Sequence, residues 1–151
     1  MAKDNGPGWS SYAHERLAST GFRRGGARSA VIDLLDGEEC ARSAIEIEDT
    51  LRSGGRRVGR ATVYRVLDEL EELDLVTRIE IGDGLTRYEA VFPGGAKHHH
   101  HLVCDDCGKL TPFTDDELER AIRRVARREA FAVADHDVTL HGFCPDCAPA
   151  R

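Results

Sequence analysis

The chain has 151 residues, a length that fits one compact domain or two small ones. It carries 21 Lys and Arg against 27 Asp and Glu, a formal net charge of −6, which excludes a uniformly basic coat protein but leaves room for a local basic patch. Apolar residues make up 40% and charged residues 32%, so a packed core is expected rather than global disorder, and with 5 Phe, 3 Tyr and 1 Trp it must be mostly Leu, Val, Ile and Ala.

No apolar run approaches the roughly 18 residues of a membrane span. Residues 1–8 are polar and rich in Gly and Pro, without the apolar stretch of a signal peptide. A cytoplasmic location is therefore expected. There, the five cysteines read as metal ligands or free thiols in preference to disulfides.

In chain order, residues 10–19 and 27–36 read as helices, the second with Ala27, Ala30, Val31, Leu34 and Leu35 at helical spacing. Ser43 with Glu46 three residues on forms a capping box for a helix carrying Ile45, Ile47 and Leu51, which stops at Gly54-Gly55. The next helix starts near Gly59, and Val63, Val66, Leu67, Leu70 and Leu73 form its buried stripe. Two β-rich runs, 75–81 and 85–92, join through Gly82-Asp83-Gly84 as a hairpin. Helices followed by such a hairpin predict a winged helix-turn-helix.

Residues 93–97 read as a hinge linker, because composition changes there: six of the seven histidines and four of the five cysteines follow it. The predicted domains are 1–92 and 98–151. In the second, 99–104 and 109–113 read as strands around a tight turn at 104–108. Thr114, with Glu117, is expected to cap a helix to about Arg128, with Leu118, Ile122, Val125 and Ala126 toward a core and Arg120, Arg123, Arg124 and Arg127 away from it. A last strand is expected over 131–143. The fold class is thus α+β, a winged helix followed by a small α/β domain with an antiparallel sheet.

Three groups of residues carry chemistry. Cys104/Cys107 and Cys144/Cys147 are two CxxC pairs. Each closes a short loop and aims two thiolates at one tetrahedral Zn²⁺, a structural site because protein fills all four positions; redox dithiols or disulfides are the competing readings. His98 to His101 are consecutive, so on a strand His99 and His101 share one face and His98 and His100 the other. One strand can thus feed two metal sites, with Glu89, Glu119, His136 and His141 as further candidate ligands; an exposed polar loop is the competing reading. Residues 56–65 hold Arg56, Arg57, Arg60 and Arg65 with no acid. Thr62, Tyr64 and Arg65 fall off the buried stripe, so the helix can present them, with Arg60, to phosphates and base edges; a solvated charged face is the alternative.

These signals occur together and in this order in one known family. The chain resembles the ferric uptake regulator family of bacterial metal-dependent repressors over residues 12–147, through Gly59-Arg-Ala-Thr-Val-Tyr-Arg65, Arg87-Tyr-Glu89, the His strand, Asp135-His136 and both CxxC pairs. The resemblance implies a winged helix followed by a dimerisation domain, with the four cysteines as structural zinc ligands. It implies Glu89, His99 and His101 as a regulatory site at the hinge, and His98, His100, Glu119 and His136 as a second site. It implies Tyr64 and Arg65 as recognition-helix contacts and Arg23 as a residue reaching the minor groove. The chain departs from the family in three places: Glu39 or Cys40 stands where the winged helix usually gives a further regulatory ligand, Pro112 replaces a carboxylate, and Gly25-Gly26 replace a Thr and a Pro ahead of Arg28.

The expected function is a homodimeric, sequence-specific repressor of metal uptake or homeostasis genes, acting on double-stranded operator DNA and not on a membrane. Structural Zn²⁺ and regulatory Zn²⁺ or Fe²⁺ are the expected cofactors, with Mn²⁺ ranked behind; an iron-loaded site would also admit peroxide sensing. Two other classes compete, a zinc-ribbon interaction module and a His/Glu metallohydrolase. The second lacks an HExxH motif and a separate general base, so no enzyme activity is expected.

Overall fold

The computed structural model describes residues 8–23, 25–93 and 98–149. Residues 1–7 and most of the expected linker lie outside the described residues. The chain divides into two compact units, one up to residue 96 and one from 97.

The first unit begins with helix α1, Trp9–Ser19, and α2, Gly26–Gly37. Strand β1, Arg42–Ser43, leads into α3, Ala44–Ser53, and then α4, Arg60–Glu72. Strands β2, Val76–Glu80, and β3, Thr86–Ala90, follow. Ser43 accepts from the Glu46 N–H while Glu46 accepts from the Ser43 N–H, so both halves of the expected capping box form. The hairpin pairs Val76 with Ala90 through to Glu80 with Thr86. Gly82 and Gly84 turn it at φ 84° and 78°, which costs glycine nothing.

The core collects Ala13 and Leu17 from α1, Val31, Ile32 and Leu35 from α2, Ile47 from α3, and Val63, Val66, Leu67 and Leu70 from α4. Trp9 is buried with them and donates its indole N–H to the Leu75 carbonyl at 3.2 Å, tying α1 to the end of the α4 segment. Arg28 clamps α2 to α4 by donating Nε and Nη2 to Glu69, at 2.8 and 2.7 Å. Two details differ from expectation. Ile45 is exposed, because the buried face of α3 is set by Ala44, Ile47 and Leu51 and Ile45 falls off it. Strand β1 has no sequence signal of its own, since two residues pair with β3 only after the chain has folded back.

In the second unit, β4, His100–Cys104, is central: β5, Leu110–Phe113, pairs with it antiparallel and β6, Thr139–Gly142, pairs with it parallel. The α+β class stands; the expected antiparallel sheet is antiparallel on one side of β4 and parallel on the other. Helix α5, Asp116–Arg128, crosses between β5 and β6. Its cap is Asp115, which accepts from the Leu118 N–H at 2.8 Å, not Thr114; a carboxylate one residue on is the stronger acceptor for the helix N-terminus. The expected long last strand reduces to β6. β4 is only five residues long, so 131–138 find no ladder to join. No residue of α5 is buried: Leu118, Ile122 and Ala126 are half-buried and Val125 is exposed, so the expected core face lacks cover within the unit.

Candidate metal centres and nucleic-acid interface

The turn after β4 and the turn after β6 lie side by side because β6 runs parallel to β4, pairing Cys104 with Gly142. That register brings the two CxxC pairs together across a 36-residue sequence gap. The four Sγ atoms lie within 4.8 Å of one another, and Cys107 Sγ is 3.8 Å from Cys144 Sγ. A tetrahedral Zn²⁺ with its usual bond length sets sulfurs roughly 3.8 Å apart, so the cluster has zinc dimensions. Backbone N–H groups of Cys107 and then Cys144 pull the Cys104 thiol down to about 6, whereas the adjacent Cys144 and the Asp106 carboxyl push Cys147 up. Four thiols this close cannot all ionise unless a cation neutralises them.

On one face of β4, His100 is buried and places Nε2 2.8 Å from Glu119 Oε1. His136 Nε2 lies 3.2 Å from the same carboxylate oxygen and 3.2 Å from His98 Nε2. These four residues form a second compact ligand group, with all donor atoms within 4.8 Å of one another. Hydrogen bonds from His136 and then His100 hold the Glu119 carboxyl below its usual range. Val138 N–H donates to His100 Nδ1 at 3.2 Å, which fixes the orientation of the ring. The remaining candidate, His141, pairs with Asp105 at 3.2 Å and joins neither this group nor the cysteines.

His99 and His101 stack edge to face at 4.9 Å, as alternation along the strand requires. Burial, and then the His99 ring, push the His101 imidazole down to about 4, so it is neutral and ligand-ready at pH 7. In the first unit Glu89 sits on β3, and Cys40 lies two residues before Arg42, which faces Tyr88 on that strand. Burial pushes the Cys40 thiol up to about 11, the Ala41 N–H opposes this, and the Glu89 charge adds to it. Glu39, the other candidate at this position, is exposed in the same loop.

The basic segment divides cleanly along α4. Val63, Val66, Leu67 and Leu70 are buried, while Tyr64 and Arg65 are exposed and Arg65 makes no hydrogen bond or ion pair among the described residues. Thr62 is half-buried, not exposed: it lies in the first turn, and its N–H bonds back to the Gly59 carbonyl. Arg60 is exposed, yet its Nε donates to Glu48 on α3 at 2.8 Å. That partner, twelve residues away, has no local sequence signature; only the Glu48–Arg52 pairing at i, i+4 does. Arg23 is exposed in the α1–α2 connection, and its carbonyl accepts from Arg28 Nη1. No helix among the described residues is long and apolar enough to cross a membrane.

The sequence model of the ferric uptake regulator family matches residues 19–141. A ferric uptake regulation protein of Bacillus subtilis (strain 168) is 37% identical over 134 residues, spanning 88% of this chain and 90% of that protein. Among solved structures, the Vibrio cholerae ferric uptake regulator gives a TM-score of 0.75 at 32% identity, over 87% of this chain and 98% of its own. The ferric uptake regulator of Pseudomonas aeruginosa, solved with manganese, gives 0.67 at 30% identity, over 88% and 98%. A winged helix, a cluster of four thiols and a histidine strand, matched across nearly the whole chain, place this protein in the ferric uptake regulator family of metal-responsive transcriptional repressors.

Proposed function

We propose that the chain acts as a homodimer that binds operator DNA when a regulatory cation is bound. The observation that carries this reading is the histidine run at the start of β4: His99 pairs with His101, while His98 and His100 converge with Glu119 and His136. That leaves His99 and His101 for a separate site, which we assign to regulation with Glu89 and with Cys40 or Glu39. Donors from both units sharing one ion favour a single arrangement of the two units, and by linkage whatever favours that arrangement favours DNA. When bound, the cation supplies only this shared attraction to its donors. Without the thiolate, the Glu/His set suits Fe²⁺, Zn²⁺ or Mn²⁺; if Cys40 ligates, Zn²⁺ gains, and the cysteine cluster suits a structural Zn²⁺.

The dimer is supported by apolar side chains that the second unit leaves uncovered. Phe131 is 71% exposed and Phe143 60%, with Leu102, Val125, Val133 and Leu140 also exposed. Such a surface is covered in a stable protein, and a two-fold copy of the chain covers it most simply. Two copies of α4 would then read a pseudo-palindromic site through Tyr64 and Arg65, with Arg60 and Thr62 at its start and Arg23 toward an AT-rich minor groove.

The test is selection of duplexes from a random DNA pool with Zn²⁺, Fe²⁺ under anaerobic buffering, or Mn²⁺. The repressor reading expects one enriched palindrome and binding that collapses on chelation. Binding indifferent to metal, or no enrichment with any of the three, contradicts it and favours an interaction module.

A further inference from the structure

Glu48 stands in α3 with its side chain only 10% exposed, and both of its oxygens are occupied. Oε1 accepts from Arg52 Nη2 at 2.6 Å and Oε2 accepts from Arg60 Nε at 2.8 Å. Arg52 is braced a second time by Asp49 at 3.2 Å, so it is tied down at both terminal nitrogens on α3. Arg60 is not. It is the first residue of α4, its side chain is 52% exposed, and its two terminal nitrogens have no partner among the described residues. An arginine at this end of a helix opposes the helix dipole, and it is no use to the fold there unless something compensates. Glu48 compensates, and it does so through Nε, the one nitrogen that leaves the outer edge of the guanidinium open.

We propose that Glu48 is a positioning residue for DNA recognition, which holds Arg60 so that its outer edge meets a phosphate in one register only. This rests on the repressor reading above. The carboxylate acts in two ways. Anchoring Nε removes rotamer freedom that Arg60 would otherwise lose on binding, which helps wherever phosphate and guanidinium coincide. Its negative charge also lies one side chain from the DNA surface and weakens attraction to phosphates in every register. At the operator the first effect outweighs the second; on unmatched DNA only the second remains. Glu48 therefore raises the ratio of operator affinity to non-specific affinity without touching DNA itself.

The test compares, in the full-length metal-loaded chain, affinity for the duplex enriched by the wild type and for a scrambled duplex of the same composition. Glu48→Gln keeps the side-chain volume and removes the charge. The expected result is an operator affinity about threefold to tenfold lower with scrambled-duplex affinity unchanged or higher, so that the ratio falls. In an Arg60→Ala background, Glu48→Gln should leave the ratio where Arg60→Ala alone puts it. Arg60→Lys, which keeps the charge but has no Nε to grip, should lower the ratio as Glu48→Gln does, and it carries the test alone if Glu48→Gln does not fold. A ratio unchanged in these variants, a proportional loss on both duplexes, or an undiminished effect without Arg60 overturns the proposal. If the wild type enriches no duplex, the repressor reading fails and this inference with it; a wild type that binds beside variants with an unchanged ratio defeats the inference alone.

Discussion

Arg65 and His101 show how position decides what a residue can do. Arg65 sits beside Val66 in sequence, but one helical step carries it from the core to open solvent, with no partner among the described residues. Arg65→Ala should weaken operator binding by about 1–3 kcal/mol if the side chain reads a base, or reduce the salt slope by about 1 if it meets a phosphate. A titration at several salt concentrations that shows neither change removes Arg65 from the interface. His101 is depressed from 6.5 to about 4, so across that window the unfolded chain binds a proton that the folded chain does not. Its contribution to stability is therefore complete above 6.5 and lost as the pH falls toward 4. Comparing denaturation midpoints of wild type and His101→Gln across this range should show the gap between them closing at the acid end. A constant gap contradicts this origin of the shift.

Elements were legible wherever local rules decide them. The α4 stripe, the Ser43 capping box and the Gly82–Gly84 turn follow from spacing alone, and so do the faces of the His strand. The strands that need distant partners were less legible. β1 exists only because β3 comes back to it, and β6 is short because β4 offers no longer edge. The end of α5 adds a detail of backbone energetics. Ala130 takes φ 51°, and the Phe131 N–H reaches back to the Ala126 carbonyl at 2.9 Å, a helix stop that usually uses glycine. Ala130→Gly should raise stability by about 0.5–1 kcal/mol, because relief of the left-handed penalty outweighs the added freedom of the unfolded chain. A lower midpoint in urea would count against it. The cysteine turns make the opposite case, in which structure depends on a ligand. Cys104→Ser should cost the bound zinc and with it the fold of the second unit and the dimer, since zinc affinity in such small sites is folding free energy of about 10–16 kcal/mol. A variant that keeps one zinc per chain and stays dimeric argues against a Cys₄ site.

At the scale of the whole molecule, the proposed function gives the two faces of the His strand different duties. His98 and His100 meet Glu119 and His136 inside one unit, so filling that group would stiffen what is already folded. His99 and His101, which we propose serve the regulatory site with Glu89, are the pair expected to switch. This division was readable from alternation along a strand, whereas the choice of the winged-helix ligand between Glu39 and Cys40 was not. Those two residues lie in a loop, where no periodicity assigns a face. The most direct test is a metal titration of operator binding for the four single alanine variants at 98 to 101. His99→Ala and His101→Ala should abolish metal-dependent binding while leaving the dimer intact, and His98→Ala and His100→Ala should only weaken the response. Equal losses in both pairs, or a larger loss for His98 and His100, would contradict it.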